Sequence, residues 1–419
     1  MEGAVCLHNA TVYTGFSVMK NCAVYVKGGR IADVYNEKRF RQKEFSPKVR
    51  VIDMLGANIV PGFIDTHIHG SGGFSTDDMT AESILGLSEF LSGFGVTSFI
   101  PTISATPEAE LMMKIRAVLK AMGREKGARI LGIHLEGPFL SPARIGGQPA
   151  EGISPVDLAL MERIYKAADG KIINMTVAPE LKNMRELALY CIERGIILQA
   201  GHTDATYEQM IEGMQVNIMH LTHMFNAMRP LHHREPGVVG AGLIHREISC
   251  EFIGDGVHTN PNLIRLLMQN KTADKLVLVT DALKYARAAP PADADFYFDR
   301  CFKRKADDVI IGSGITMLDG FRNLIEYGVQ PEDAVRMASA NPARIMKQSD
   351  RGMIVPGYAA DLNIMDKNFN LVDTMIGGKG VNDPALVETL CSNSADAIDW
   401  LGEQGITLHS VSGNCVRIM

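Results

Sequence analysis

Short apolar runs alternate with amphipathic stretches along most of the chain between residues 60 and 281. The runs are Phe63–His69, Val96–Pro101, Ile130–Glu136, Ile173–Ala178, Ile196–His202, Ile218–His223, Ser249–Gly254 and Leu276–Asp281. The stretches between them, such as 107–122 and 155–168, carry apolar residues at helical spacing. This pattern predicts eight repeats of a strand followed by a helix.

Eight such repeats predict an α/β fold whose parallel strands close into a (β/α)8 barrel, the TIM-barrel architecture. An open, doubly wound sheet is the rival architecture that the pattern also allows. The barrel explains better why polar residues end the first, third, fifth, sixth and eighth runs, because those ends then meet at one mouth. We therefore expect a functional site at that mouth.

The two ends of the chain follow a different pattern. Residues 1–56 and 350–380 predict a small β-sandwich domain built from both chain ends, and residues 57–349 predict the barrel. Residues 381–419 are predicted to be a C-terminal extension, and the sequence does not define its role.

The composition is that of an ordinary globular enzyme, with 46% hydrophobic and 21% charged residues. A net charge of −6 argues against general nucleic-acid binding, which requires a basic face. The seven cysteines are scattered and contain no Cys-x-x-Cys pair, which favours reduced thiols and a cytoplasmic location. No signal peptide is apparent, and no apolar stretch reaches the ~18 residues of a membrane span, so no membrane partner is expected.

His67 and His69 lie one residue apart in the first run. Because side chains alternate along a strand, both imidazoles face the same side and can hold one metal ion. Three further runs end in Glu136, His202 and His223. A single buried histidine is most often a hydrogen-bonded core residue, but four histidines and a carboxylate would make a costly apolar core. Together they predict a site for one or two divalent ions, which zinc, iron, manganese or cobalt can occupy.

Three further features near the polar ends of the runs are candidates for catalysis or substrate binding. Asp281 ends the eighth run, where aspartate either caps a helix or, beside a metal, passes a proton from water to a leaving amine. The backbone at Asn226 and Ala227, with Arg234 nearby, can hold a phosphate. His258, after the seventh run, can add a donor. These residues point to hydrolysis of a small anionic substrate.

Seven segments, in this order, resemble the N-acetylglucosamine-6-phosphate deacetylases of the amidohydrolase superfamily. They are Pro61–Gly70, His134–Pro138, Gly201–Ala205, His223–Met228, Arg234–Gly237, Asp255–His258 and Thr280–Ala282. The resemblance runs from the N-terminus to about residue 380. It implies hydrolysis of the N-acetyl group of N-acetylglucosamine 6-phosphate to glucosamine 6-phosphate and acetate, in amino-sugar catabolism.

The resemblance also implies a role for each matching residue. The principal metal ion, zinc or iron, is bound by Glu136, His202 and His223, and a second ion by His67 and His69. Asp281 is the general base and acid. The implied substrate contacts are Asn226, Ala227, Arg234 and His258, and a loop with Ile310, Ile311 and Gly312 closes over the substrate. The arginine of the family reaches the neighbouring subunit's site, which implies a homodimer.

Two features depart from the family pattern. Gln148 occupies a position about twelve residues after Glu136, where the family usually has a substrate-contacting histidine. Glutamine can donate a hydrogen bond but cannot carry charge, so the rate or the sugar preference is expected to differ. The C-terminal ~38 residues, through segments 382–390 and 394–401, resemble a fragment of the flavoprotein subunit of fumarate-reductase-like enzymes, but so short a segment cannot bind a flavin without a dinucleotide fold.

Two alternatives stay open at this point. The first is another amidohydrolase, acting on a related N-acyl sugar phosphate or on a cyclic amide. Dihydroorotases and dihydropyrimidinases, which act on cyclic amides, commonly use a modified lysine at the end of strand 4, and the fourth run has none there. The second alternative is a non-catalytic sugar-phosphate-binding protein, against which Asp281 and the full ligand set argue.

Overall fold

The computed structural model describes residues 4–380 and two short strands, His409–Val411 and Cys415–Arg417. The segment 382–401, compared above with a flavoprotein fragment, lies outside the described residues. The chain forms two compact units, one of residues 1–64, 91–97 and 330–419 and the other of residues 65–90 and 98–329. The domain boundaries expected from the sequence stay a prediction.

The first unit is organised around one mixed sheet to which both ends of the chain contribute. Its strands are Ala4–Tyr13, Val18–Lys27, Arg30–Asn36, Val49–Asp53, Asn58–Pro61, Leu362–Met365, Leu371–Ile376 and Lys379–Gly380. Its helical segments are Glu37–Arg41, Pro331–Val335, the π-turn Arg336–Ala340 and Asn341–Ile345. Strand Asn58–Pro61 pairs antiparallel with Leu362–Met365, which joins the two chain ends. Fully buried side chains such as Val24, Ile59 and Leu362 form its core.

The second unit contains the predicted barrel. Its parallel strands are Phe63–Ile68, Val96–Ser104, Arg129–Ile130 with Ile133–Glu136, Ile172–Val177, Ile197–Ala200, His220–Leu221, Ser249–Ile253 and Leu276–Val279. Consecutive strands pair in parallel around a nearly closed ring. The backbone N–H of Asp281 donates to the carbonyl of His67 at 2.9 Å, which links the last strand to the first. The α/β barrel expected from the eight runs is therefore confirmed.

A helix follows each barrel strand. These helices are Ala81–Ser92, Glu108–Ala121, Leu158–Ala167, Met184–Glu193, Tyr207–Gln215, Gly237–Ile244, Pro261–Asn270 and Met317–Glu326. Their starts follow local chemistry, since Thr206 forms a reciprocal capping box with Gln209 and Asp157 caps its helix. Among the described residues, no helix is long and apolar enough to cross a membrane.

Short elements extend the loops after the barrel strands. They are the hairpin Gly70–Ser71 with Phe74–Ser75, the 3-10 turns Thr76–Asp78, Pro142–Arg144, Ala150–Gly152 and Ala273–Lys275, and a three-stranded sheet of Phe296–Asp299, Cys301–Arg304 and Ile310–Gly312. Residues 310–312, expected in a loop, thus form a strand, because Phe302 and Lys303 pair with them.

Candidate active site

Six side chains singled out from the sequence meet in two groups at one end of the barrel. The first ligand group contains His67, His69 and Asp281, and the second ligand group contains Glu136, His202 and His223. Within each group the potential ligand atoms lie within 4.8 Å of one another. The fold therefore brings together residues that are separated by more than two hundred positions in the chain.

Glu136 faces both ligand groups. Its Oε1 lies 3.0 Å from Nε2 of His202 and 3.1 Å from Nε2 of His223. Its Oε2 lies 3.2 Å from Nε2 of His69. Oε1 also lies 3.5 Å from Nε2 of His67, so Glu136 contacts histidines of both groups and is the shared element of the site.

His67 and His69 point to the same side of the first strand, as the alternation of side chains predicts. Their ring centroids are 5.5 Å apart. Nδ1 of His69 lies 3.0 Å from the hydroxyl of Ser104, and Nδ1 of His67 lies 3.3 Å from Oε2 of Glu251. In both rings the Nε2 atom is left to face Asp281 and Glu136.

His202, His223 and Asp281 lie just beyond their strands, and His69 directly follows Ile68, so these residues are not within the strands as expected from the sequence. The strands end at residues 200, 221 and 279, and the chain then turns into the left-handed region at His202 (φ 48°), His223 (φ 27°) and Asp281 (φ 48°). Residues other than glycine seldom adopt this backbone conformation, and those that do cluster at functional sites. The turn ends each strand and aims the side chain across the barrel mouth.

The second ligand group has the donor pattern of a metal site. Nδ1 of His202 lies 3.2 Å and 3.1 Å from the carbonyl oxygens of Arg144 and Ile145, which only accept, so this nitrogen donates. Nε2 of the same ring faces Oε1 of Glu136 and lies 3.2 Å from Nε2 of His223. A cation between these atoms, either a proton or a metal ion, would stabilise this arrangement.

In the first ligand group, a buried nitrogen without a hydrogen-bond partner also indicates a metal site. Nε2 of His67 is fully buried and has no hydrogen-bond partner among the described residues. A buried polar nitrogen without a partner is costly, and a coordinated ion would satisfy it. The residues present therefore fit a divalent metal ion with nitrogen and carboxylate ligands.

Electrostatics favour positive charge between these side chains. Burial alone lowers the pKa of His67 and His69, but the carboxylates of Glu136 and Asp281 outweigh it. The pKa of His69 rises to about 9, and that of His67 rises well above its ordinary value of 6.5. Conversely, burial raises the pKa of both carboxylates, but the neighbouring imidazoles prevail and lower it below the ordinary range. The site stabilises cations, either protons or a metal ion.

A cavity of about 720 Å³ opens above the ligand groups. The predicted site residues that line it are His69, Glu136, Gln148, His202, His223, Asn226, Ala227, His258, Asp281, Ile310, Ile311 and Gly312. Two others do not line it within the described part of the chain. His67 is fully buried, and Arg234 lies on an exposed loop with Nη1 2.9 Å from Nε2 of His233. The single-chain structure thus leaves Arg234 outside its own cavity.

Gln148 is anchored by two protein partners. Its Nε2 donates to Oε2 of Glu136 at 2.6 Å, and its Oε1 accepts from the backbone N–H of Ala105 at 2.9 Å. One of the two amide hydrogens therefore orients Glu136, and the other remains for the cavity that the side chain lines. The substrate contact expected for this residue stays a prediction.

Asn226 and His258 are held by their own loops. The Asn226 amide donates to the carbonyl oxygens of His223 and Met224, which fixes the turn after the sixth strand. Nδ1 of His258 lies 2.6 Å from Oδ2 of Asp255. A carboxylate partner at Nδ1 turns Nε2 away from Asp255 and makes it the free nitrogen of the ring.

The three-stranded sheet packs on a glycine turn at the rim. Arg304 donates to the carbonyl of Gly146 at 3.2 Å. A Cβ on Gly147 would lie 3.0 Å from Cα of Ile311, a tight contact that favours glycine at this position. Gly146 has a φ of +57° and lies beside His202 and Ala227, which ties this turn to the second ligand group.

The comparisons with known proteins agree with this geometry. The model of the amidohydrolase family matches residues 58–381. The chain belongs to the amidohydrolase family. Enzymes of this family are generally metal-dependent, in agreement with the donor pattern of both ligand groups.

Several members of the amidohydrolase family match nearly the full chain. The N-acetylglucosamine-6-phosphate deacetylase of Bacillus subtilis (strain 168) is 32% identical, over 90% of this chain and 97% of that protein. The enzyme of the same name from Haemophilus influenzae is 32% identical, over 89% of this chain and 98% of that protein. The crystal structure of N-acetyl-D-glucosamine-6-phosphate deacetylase from Mycobacterium smegmatis matches with a TM-score of 0.82 at 26% identity, covering 91% of this chain and all of that chain.

Sequence reasoning missed Glu251, which lies beneath the ligand groups of this amidohydrolase. It is fully buried in the strand Ser249–Ile253 and contacts His67 and His220. Burial raises its pKa, but hydrogen bonds from the two imidazoles prevail and hold it well below the ordinary value. An isolated glutamate within an apolar strand was the available signal. His134 is also fully buried, and burial lowers its pKa to about 3.

Proposed function

We propose that this protein hydrolyses the N-acetyl group of N-acetylglucosamine 6-phosphate, releasing acetate and glucosamine 6-phosphate. The observation that carries the proposal is the convergence of Asp281 and both ligand groups on one cavity. The near full-length similarity to deacetylases of this specificity supports the choice of substrate.

The second ligand group, Glu136 with His202 and His223, would hold the principal ion. The first group, with His67 and His69, would hold another, so one or two ions are bound, with zinc or iron as the expected metal. A divalent ion bound here polarises the amide carbonyl and lowers the pKa of the attacking water.

Asp281 is the proton carrier of the proposed reaction. Its side chain is 13% exposed, so it reaches the cavity while Oδ1 stays 3.3 Å from Nε2 of His69. The imidazoles keep its pKa low, so it is ionised and ready to accept a proton from the attacking water. It then delivers that proton to the leaving nitrogen of the sugar, which departs as an amine.

The remaining cavity residues would orient the sugar phosphate. Asn226, Ala227, His258 and the strand Ile310–Gly312 line the cavity, and Gln148 lies beside Glu136. Arg234 would enter the cavity of a second subunit and bind its phosphate, which requires a homodimer. The five described cysteines, at positions 6, 22, 191, 250 and 301, are all free and buried, and this supports the predicted cytoplasmic location.

Acetate release by the purified protein tests the reaction. The substrates to compare are N-acetylglucosamine 6-phosphate, its galactosamine analogue and unphosphorylated N-acetylglucosamine. We expect turnover of the first and a loss of roughly 10²–10⁴-fold in Asp281→Asn. Asp157→Asn is the matched control, because asparagine also caps the helix Leu158–Ala167 and the residue does not line the cavity.

The outcomes of that assay separate the candidates. No acetate from either sugar phosphate, with tight binding of both, would indicate the non-catalytic binding protein. Full activity in Asp281→Asn would remove this residue from its role. For the homodimer, mixing inactive Arg234→Ala with inactive Asp281→Asn subunits is expected to restore part of the activity, and no recovery would contradict a shared site.

A further inference from the structure

Glu251 is a barrel-interior carboxylate to which the proposed reaction gives no role. It lies between Cys250 and Phe252 in an otherwise largely apolar strand, and its side chain is completely inaccessible to solvent. Taking an ionised carboxylate out of water is costly unless several donors surround it. The contacts of Glu251 show where its charge acts.

Four side chains direct donors at Glu251. Nδ1 of His67 lies 3.3 Å from Oε2, and Nε2 of His220 lies 3.3 Å from Oε1. The hydroxyl of Thr66 and the amide of Gln199 donate to it at 3.4 Å. Of these four residues only His67 belongs to a ligand group, so the contact with His67 connects Glu251 to the metal site.

This contact determines which nitrogen of His67 carries the hydrogen. A carboxylate only accepts, so Nδ1 of His67 is the N–H of the ring. When a metal ion binds and the ring is neutral, the lone pair is on Nε2, the atom that lacks a hydrogen-bond partner among the described residues. Nε2 lies 3.5 Å from Oε1 of Glu136 and 3.5 Å from Oδ1 of Asp281, so it faces both ligand groups.

The neighbouring histidine has no such constraint. Nδ1 of His69 lies 3.0 Å from the hydroxyl of Ser104, which either donates or accepts. Ser104 therefore fixes the position of the ring without selecting a tautomer. Within the first ligand group, His67 is the histidine whose tautomer is set by a charged partner.

We propose that Glu251 is a positioning residue that sets the tautomer and orientation of His67 for a metal ion in the first ligand group. The proposal rests on the metal-dependent function proposed above, but it concerns metal affinity and not turnover. Outer partners of metal-bound histidines typically change metal affinity by about 10–100-fold. We expect Glu251→Met to weaken zinc binding at the first ligand group by a factor in this range. Zinc binding at the second ligand group, with His202 and His223, should be unchanged.

Zinc titration of metal-free protein against a competing chelator measures both sites without any substrate. Asn174→Leu is the matched control, because Asn174 is equally buried in the barrel and donates to Gln199 at 3.1 Å. It is expected to retain both zinc affinities. The proposal would be overturned if Glu251→Met bound zinc at the first ligand group with wild-type affinity. It would also be overturned if Asn174→Leu lost as much affinity there as Glu251→Met.

A measurement on the unmodified protein covers the case in which the variant does not fold. In zinc-loaded protein with 15N-labelled histidine, the His67 ring is assigned by comparison with His67→Asn. We expect its proton on Nδ1, and a proton on Nε2 instead would overturn the proposal. Normal zinc binding without acetate release would contradict the proposed function alone, so the two failures are distinguishable.

Discussion

The two ligand groups differ in what holds their histidines. In the first group, His67 projects from the strand Phe63–Ile68 and His69 follows that strand directly, and the side chains of Glu251 and Ser104 contact their Nδ1 atoms. In the second, His202 and His223 follow their strands in a left-handed turn, and backbone carbonyls hold Nδ1 of His202. The first group is thus sensitive to side-chain substitution, while the second depends on the path of the main chain.

Glu136→Gln would abolish the comparison, because this residue serves both groups. A neutral amide cannot balance a divalent ion, so we expect bound metal to fall in both groups and turnover to be lost with it. Metal analysis of the purified variant measures this. Wild-type metal content would contradict the shared role of Glu136.

Substituting one histidine at a time would sharpen the comparison. We expect His202→Asn to lose the principal ion and most activity, whereas His67→Asn loses only the second ion, half of the bound metal if two are present. Metal content per subunit, measured beside the wild type, tests this. An unchanged content in His67→Asn would mean that the protein binds a single ion.

The pH dependence of stability, measured on protein from which a chelator has removed the metal, tests the charge of the first ligand group. The pKa of His69 is about 9 in the folded state and near 6.5 in the unfolded state. Protonation of His69 therefore stabilises the folded protein fully below pH 6.5, and this stabilisation is lost as the pH rises through 9. We expect the free energy of unfolding to fall by up to about 3 kcal/mol over this interval. Urea unfolding at both pH values measures it, and His69→Asn should show a smaller decrease. An identical decrease in that variant would assign the effect to other groups.

The smallest expected effect comes from Gln148→Met, which keeps the volume but removes both hydrogen bonds of the amide. Oε2 of Glu136 and the N–H of Ala105 would then lose a partner. We expect a loss of about 1–3 kcal/mol in unfolding free energy. Metal affinity should fall about 10-fold, the lower end for outer partners of ligands. Gln148→Glu is a second test, since it would place a second carboxylate against Glu136 and weaken the site through repulsion instead.

Much of this site could be predicted because its residues follow strong periodic patterns. The apolar runs predict the barrel strands, and their polar ends predict which residues meet at the mouth. The position of Glu251 could not be used in that way. It lies mid-strand, and only the neighbouring strands show that His67 and His220 surround it.

By itself, the sequence determined the alternation of strands and helices, the identity of the candidate ligands and the shared face of His67 and His69. These properties are local, since they depend on hydrophobic period and on the alternation of side chains along a strand. Only the tertiary structure decided that Glu136 lies between two groups, that Gln148 binds it, and that Glu251 lies behind His67. Such contacts join strands far apart in the chain, and their distances depend on how the barrel closes, which no local pattern encodes.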